Sequence, residues 1–168
     1  MLFENLSNSR IFEEFERMTA EAVFSICYIL KKFKIKVITI EDYRQLTNVP
    51  SIEGLEKQPM ANFVFKYEQD ASTTLATIIV NEKVCKSFGF SKSELFAIIA
   101  HEIGHIIYFF SDCKDPENKQ AEEIFADHIA ELLGLKNELK EVISKLITSD
   151  FFDYKTNNLL KIRKLMLV

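Results

Sequence analysis

Apolar residues at Ile11, Phe15, Met18, Ala22, Ile26, Leu30 and Phe33 recur every three or four positions, with Glu13, Glu14, Arg17 and Glu21 between them. That period predicts an amphipathic helix over 10–33, with Ser9 as its N-cap. The β-branched run IKVITI, residues 35–40, then predicts a strand. Residues 41–61 contain Pro50, Gly54 and Pro59 and read as a long connection. Phe63, Phe65 and Tyr67 alternate with polar neighbours, and after a polar turn at Gln69–Thr73 comes TLATIIV, so an antiparallel hairpin is expected.

From Ser91 the period becomes helical. Ser91 and Glu94 form a capping-box pair ahead of the apolar run 95–110. Asp115-Pro116-Glu117 is expected to open a second helix, with Asp115 as N-cap, Pro116 at the first helical position and Gly134 just past the end. Helical patterns at about 136–148 and 153–166 complete the chain. Strands in the first half and helices in the second predict an α+β class, with a small antiparallel sheet packed with helices around a central buried helix.

A length of 168 residues predicts a single domain over 1–168. A hydrophobic content of 48% with only 4 Gly and 3 Pro excludes a largely disordered or low-complexity chain. The net charge of −4 offers no basic surface for phosphates, so nucleic acid is not an expected partner. Cys27, Cys85 and Cys113 are odd in number and widely spaced, which suggests neither a disulfide framework nor a cysteine metal site, and fits a reducing compartment. No basic stretch followed by an apolar core opens the chain, so the expected location is cytoplasmic. The run Leu95–Phe110 falls short of the roughly 20 residues of a membrane span and is broken by three polar residues, so no membrane association is expected.

Those three residues carry the chemistry. A helix that is apolar on every face should be buried all round, and an unpaired buried carboxylate is costly, so Glu102 needs a partner or a cavity. His101, Glu102 and His105 spell HEIGH, an HExxH pattern. Histidines at i and i+4 share one helical face and can reach a single ion, and zinc suits this spacing. Glu102, about 100° around the helix, can lean over the ion's open position and take a proton from water there.

Three protein ligands are usual at a catalytic zinc. Positions 108 and 111 are Tyr and Ser, so the metzincin continuation is excluded. The second helix carries Glu123 and Asp127 at i and i+4, beside the small residues Ala126 and Ala130, which allow a close approach to the first helix. A glutamate there can reach the ion.

HEIGH followed by Glu123-Ile-Phe-Ala126-Asp127 resembles the gluzincin group of zinc peptidases, most of all its small ImmA/IrrE-type or minimal M48-like members. The resemblance covers about 40 residues. It implies a zincin-like fold and a zinc-dependent metallopeptidase in which His101, His105 and Glu123 hold Zn2+ and Glu102 is the general base. It implies further that Asp127 hydrogen-bonds a ligating histidine, His101, from outside. The implied substrate is a peptide or protein, with a bacterial or phage regulator as target class. By analogy with gluzincins, the strand 74–80 would pair with an extended substrate.

Other readings stand beside these. Glu122 competes with Glu123 as ligand, although helical angles turn Glu122 toward Ile129 and Leu133. His128, about 140° around from Glu123, is a reserve third ligand and otherwise a core or surface histidine. Gly104 marks either a close approach of another element or a tolerated cost of about 1 kcal/mol. Cys113 follows the helix closely but nothing aims it at the site. Tyr43, Tyr67, Tyr108 and Tyr154 are equally unplaced as stabilisers of an oxyanion. The competing functions are a regulatory or binding module that keeps the fold with little or no turnover, and a zinc hydrolase acting on something other than peptides.

Overall fold

The computed structural model describes residues 3–5, 33–42, 61–66, 74–111, 115, 117–149 and 152–167. The helix expected over 10–33 lies outside these residues, except that Phe33 itself belongs to a strand; of the connection expected over 41–61, residues 43–60 lie outside them, while Glu41 and Asp42 are helical and Ala61 opens a strand; Tyr67, the turn Gln69–Thr73, Cys27 and Cys113 lie outside them as well. The described residues are of mixed α and β class, and the chain divides into two compact units, Met1–Lys86 and Ser87–Val168.

The first unit holds a four-stranded sheet of β1 (Phe3–Asn5), β2 (Phe33–Thr39), β3 (Ala61–Lys66) and β4 (Thr74–Val80) in the order β1-β2-β4-β3. The expected hairpin is present: β3 and β4 pair antiparallel with Phe63 opposite Ile78. The expectation of an antiparallel sheet is corrected, because β1 pairs with β2 and β2 with β4 in parallel, Val37 lying opposite Ile78. The proposed role of 74–80 as a substrate-pairing edge is corrected too: β4 lies between β2 and β3, so both its hydrogen-bonding edges are taken. The signal lay in its composition. Ile78, Ile79 and Val80 are consecutive and all buried, the near-continuous apolar run of a strand covered on both faces, where a one-sided strand alternates. A short helix not anticipated from the periodicity, α1 (Glu82–Ser87), follows β4; the Asn81 side chain accepts from the Val84 N–H at 3.3 Å in the manner of an N-cap.

The second unit is helical. The long α2 (Lys92–Phe110) starts with the predicted capping box: Ser91 accepts from the Glu94 N–H, and the Glu94 carboxylate accepts from the Ser91 N–H. Glu94 also takes Lys145 Nζ at 2.7 Å, tying the start of α2 to a later helix. By length and composition α2 matches a membrane span, and most of it is buried inside the protein, as in a core helix.

The next helix, α3 (Lys119–Leu132), begins later than expected. Asn118 caps it, accepting from the Ala121 N–H at 3.0 Å. Asp115 is committed to the preceding turn, where its side chain accepts from the Glu117 N–H and its own N–H donates to the Tyr108 hydroxyl. At the other end Gly134 takes φ +79°, and the Leu135 N–H bonds the Ala130 carbonyl, so the predicted glycine stop is present. Helices α4 (Lys136–Ile147) and α5 (Tyr154–Met166) follow, the latter capped by Asp153. α2 packs against α3 and α4, and α5 packs against α3 and α4.

One contact sets the spacing of α2 and α3. A Cβ placed on Gly104 would lie 2.5 Å from Ala126 Cα and 2.8 Å from its carbonyl oxygen. Only a residue without a side chain fits there, and Ala126 and Ala130 on the opposing helix are both fully buried. Gly104 therefore marks a close approach.

Candidate metal centre

That close approach brings the polar residues of α2 and α3 together. His101 and His105, one turn apart on α2, are each 8% exposed, and their ring planes are nearly perpendicular with centroids 4.6 Å apart. Their Nε2 atoms face each other at 3.0 Å. One donor atom from each of His101, Glu102 and His105 lies within 4.8 Å of the others. From α3, Glu123 places Oε2 3.4 Å from His101 Nε2 and Oε1 3.8 Å from His105 Nε2.

The outer ring nitrogens are each engaged by a carboxylate. His101 Nδ1 donates to Asp127 Oδ1 at 2.9 Å, and His105 Nδ1 donates to Glu122 Oε1 at 2.9 Å. With both protons held on the outside, two nitrogen lone pairs confront each other at 3.0 Å across the interior. Such a pair needs a positive charge between its members, either a proton or a metal ion. Burial and the Arg163 guanidinium act against protonation of His101, but its bonds to Asp127 and Glu123 prevail and hold its pKa up at about 9. Burial and the charge on His101 push His105 down to about 3.

The donor set fits a metal ion. Donors about 2.0–2.2 Å from a tetrahedral zinc stand about 3.3–3.6 Å apart; here the two Nε2 atoms are 3.0 Å apart, with Glu123 Oε2 3.4 Å from one and Glu123 Oε1 3.8 Å from the other, close to that range. Two imidazoles and one carboxylate are the ligand types of a catalytic site with an open position, and a carboxylate on the outer nitrogen is the usual way a ligating histidine is oriented. Glu102 is half-buried; burial pushes its carboxyl up to about 7 against the lowering effect of His101, with Glu123 adding to the rise. Glu123 is instead held well below the usual carboxylate range: burial opposes its charge, but the bond from His101 and the charge on Arg163 outweigh that. Two neighbouring glutamates thus differ in readiness to accept a proton, and Glu102 is the one poised near neutrality.

His101, Glu102, His105, Glu123 and Asp127 are all brought together. The competition between Glu122 and Glu123 resolves into two different positions, with Glu122 on the outside of His105 and Glu123 facing both Nε2 atoms. His128 is exposed and pairs with Glu131 on the surface of α3. Tyr108 bonds the Asp115 backbone, and Tyr154 is 81% exposed; Tyr43 and Tyr67 lie outside the described residues.

Arg163 is the residue that sequence reasoning missed. From α5 its Nε and Nη2 form a fork on Asp127 at 2.8 and 2.7 Å, its Nη1 reaches Glu123 Oε2 at 2.7 Å, and its Nη2 stands 3.4 Å from the His101 ring. A signal existed. Leu160, Arg163 and Leu167 fall at i, i+3 and i+7 and are all buried, so this arginine occupies the inward stripe of its helix.

No family model, curated protein or solved structure matches this chain.

Proposed function

We propose that the protein is a metal-dependent hydrolase of the zincin type, most simply a zinc metallopeptidase of the gluzincin kind. The observation that carries this reading is the convergence of His101 Nε2, His105 Nε2 and the Glu123 carboxylate within 3.0–3.8 Å of one another, with Glu102 beside them. His101, His105 and Glu123 would hold the ion. Bound zinc would supply Lewis acidity, polarising a carbonyl and acidifying water.

This chain's residues do the rest. Asp127 and Glu122 keep the histidine protons on Nδ1, which leaves both Nε2 lone pairs available to a cation. Glu102, which stands beside the two histidines, accepts a proton from the attacking water and returns it to the departing amine.

Metal analysis with a Glu102→Gln variant tests the proposal. Stoichiometric zinc in both proteins is expected, with cleavage of a peptide library lost by about 100-fold or more in the variant. A protein that takes up no transition metal overturns the reading. Zinc uptake without cleavage of any peptide favours the second reading, a metal-binding module without turnover, which draws support from the grip of Arg163 on Glu123.

A further inference from the structure

Arg163 is 9% exposed, and its side chain stands among the groups that would hold a cation. Glu123 Oε2 is the contested atom: it lies 2.7 Å from Arg163 Nη1 and 3.4 Å from His101 Nε2. One carboxylate oxygen cannot give its full charge to two cations at once. Asp127 is divided in the same manner, its Oδ1 accepting both from Arg163 Nη2 at 2.7 Å and from His101 Nδ1 at 2.9 Å.

Charge balance gives the arginine its significance. Two ionised carboxylates buried side by side repel each other strongly in a medium of low polarity, and a third, Glu102, stands close by. A guanidinium forked across Asp127 and reaching Glu123 offsets that repulsion with three charge-assisted hydrogen bonds. It also places a permanent positive charge where a divalent ion would bind.

We propose that Arg163 is a resident counter-cation of the metal centre: it holds Glu123 and Asp127 in place while no metal is bound, and it competes with the ion for Glu123. The inference rests on the metal-centre reading above. Its consequence is a site that assembles without metal and holds its ion less tightly than its ligands alone would allow. A merely structural arginine implies the opposite, since its loss would disorder the ligands and weaken binding.

Zinc affinity measured by chelator competition, and melting temperature with and without zinc, test this on the full chain. His101→Ala and His105→Ala establish the site independently. Arg163→Gln is expected to bind zinc about tenfold or more tighter than the wild type, to melt lower without metal, and to gain more in melting temperature from saturating zinc. Equal or weaker zinc binding by Arg163→Gln, with the wild type binding normally, overturns the inference alone. Zinc uptake by neither protein overturns the metal centre and this inference together. Should Arg163→Gln fail to fold without metal, Arg163→Lys is read in its place. Its ammonium cannot span both carboxylates, so binding about threefold tighter than wild type is expected, and equal or weaker binding overturns the inference.

Discussion

The two imidazoles of the centre are held in opposite ways. His101 leans on Asp127, whose side chain is 5% exposed and is itself forked by Arg163 from another helix. His105 leans on Glu122, whose side chain is 35% exposed and comes from the same helix as the proposed third ligand. A network in which every charge is buried and paired is stiff, and removing one member leaves the others stranded. A carboxylate at the surface can be replaced by water. The outer nitrogen of one histidine is therefore held by a buried carboxylate, and that of the other by a half-exposed one.

Breaking the buried arm should have the largest effect. Asp127→Ala leaves Arg163 without its fork and His101 without its orienting partner, so a loss of about 3–5 kcal/mol in stability is expected in denaturant titrations. Zinc affinity should fall about 10- to 100-fold in the same protein. A drop in affinity with stability unchanged would contradict the account of the arm as one coupled unit.

Gly104→Ala acts on both arms together, because α3 carries Glu122, Glu123 and Asp127. Alanine is favoured over glycine in a helix by about 1 kcal/mol. Here its methyl group would meet main-chain atoms of Ala126, so overpacking should win, with a net loss of about 1–3 kcal/mol and weaker zinc binding. A variant more stable than the wild type would show that α3 moves aside freely.

The solvent-facing arm should give the smallest effect. Glu122→Gln keeps an acceptor on His105 Nδ1 and is expected to lower zinc affinity less than tenfold, with stability within about 0.5 kcal/mol of wild type by thermal melting. A loss equal to that of Asp127→Ala would abolish the contrast between the arms.

Much of the second unit was legible in the sequence. The capping box fixed the start of α2, glycine marked the end of α3, and the Ala126/Ala130 pair anticipated the close crossing that brings Glu123 to the histidines. What escaped has physical causes. The pairing of β2 with β4 joins strands separated by a long segment, and strand periodicity carries no information on which distant strand lies alongside or in which direction. Asp115 and Asn118 are both good caps, and the choice between them turned on a bond to Tyr108, seven residues away from Asp115 in sequence. The sequence offers Glu122 as a rival ligand and not as a partner of His105, because helical angles locate a side chain around its own axis and not against a facing ring. Arg163 is hard to see in the sequence because it sits among Lys155, Lys161 and Lys164 in a polar helix and so reads as solvated surface; only its spacing from Leu160 and Leu167 marks it.

At the crossing of α2 and α3, backbone rests on backbone, with no rotamer between them to adjust. The gap that separates the imidazoles from the opposing carboxylates is thus gauged by covalent dimensions and not by how side chains happen to settle. Substitutions on the outward face of either helix leave that gauge alone, whereas position 104 has no room for additional bulk.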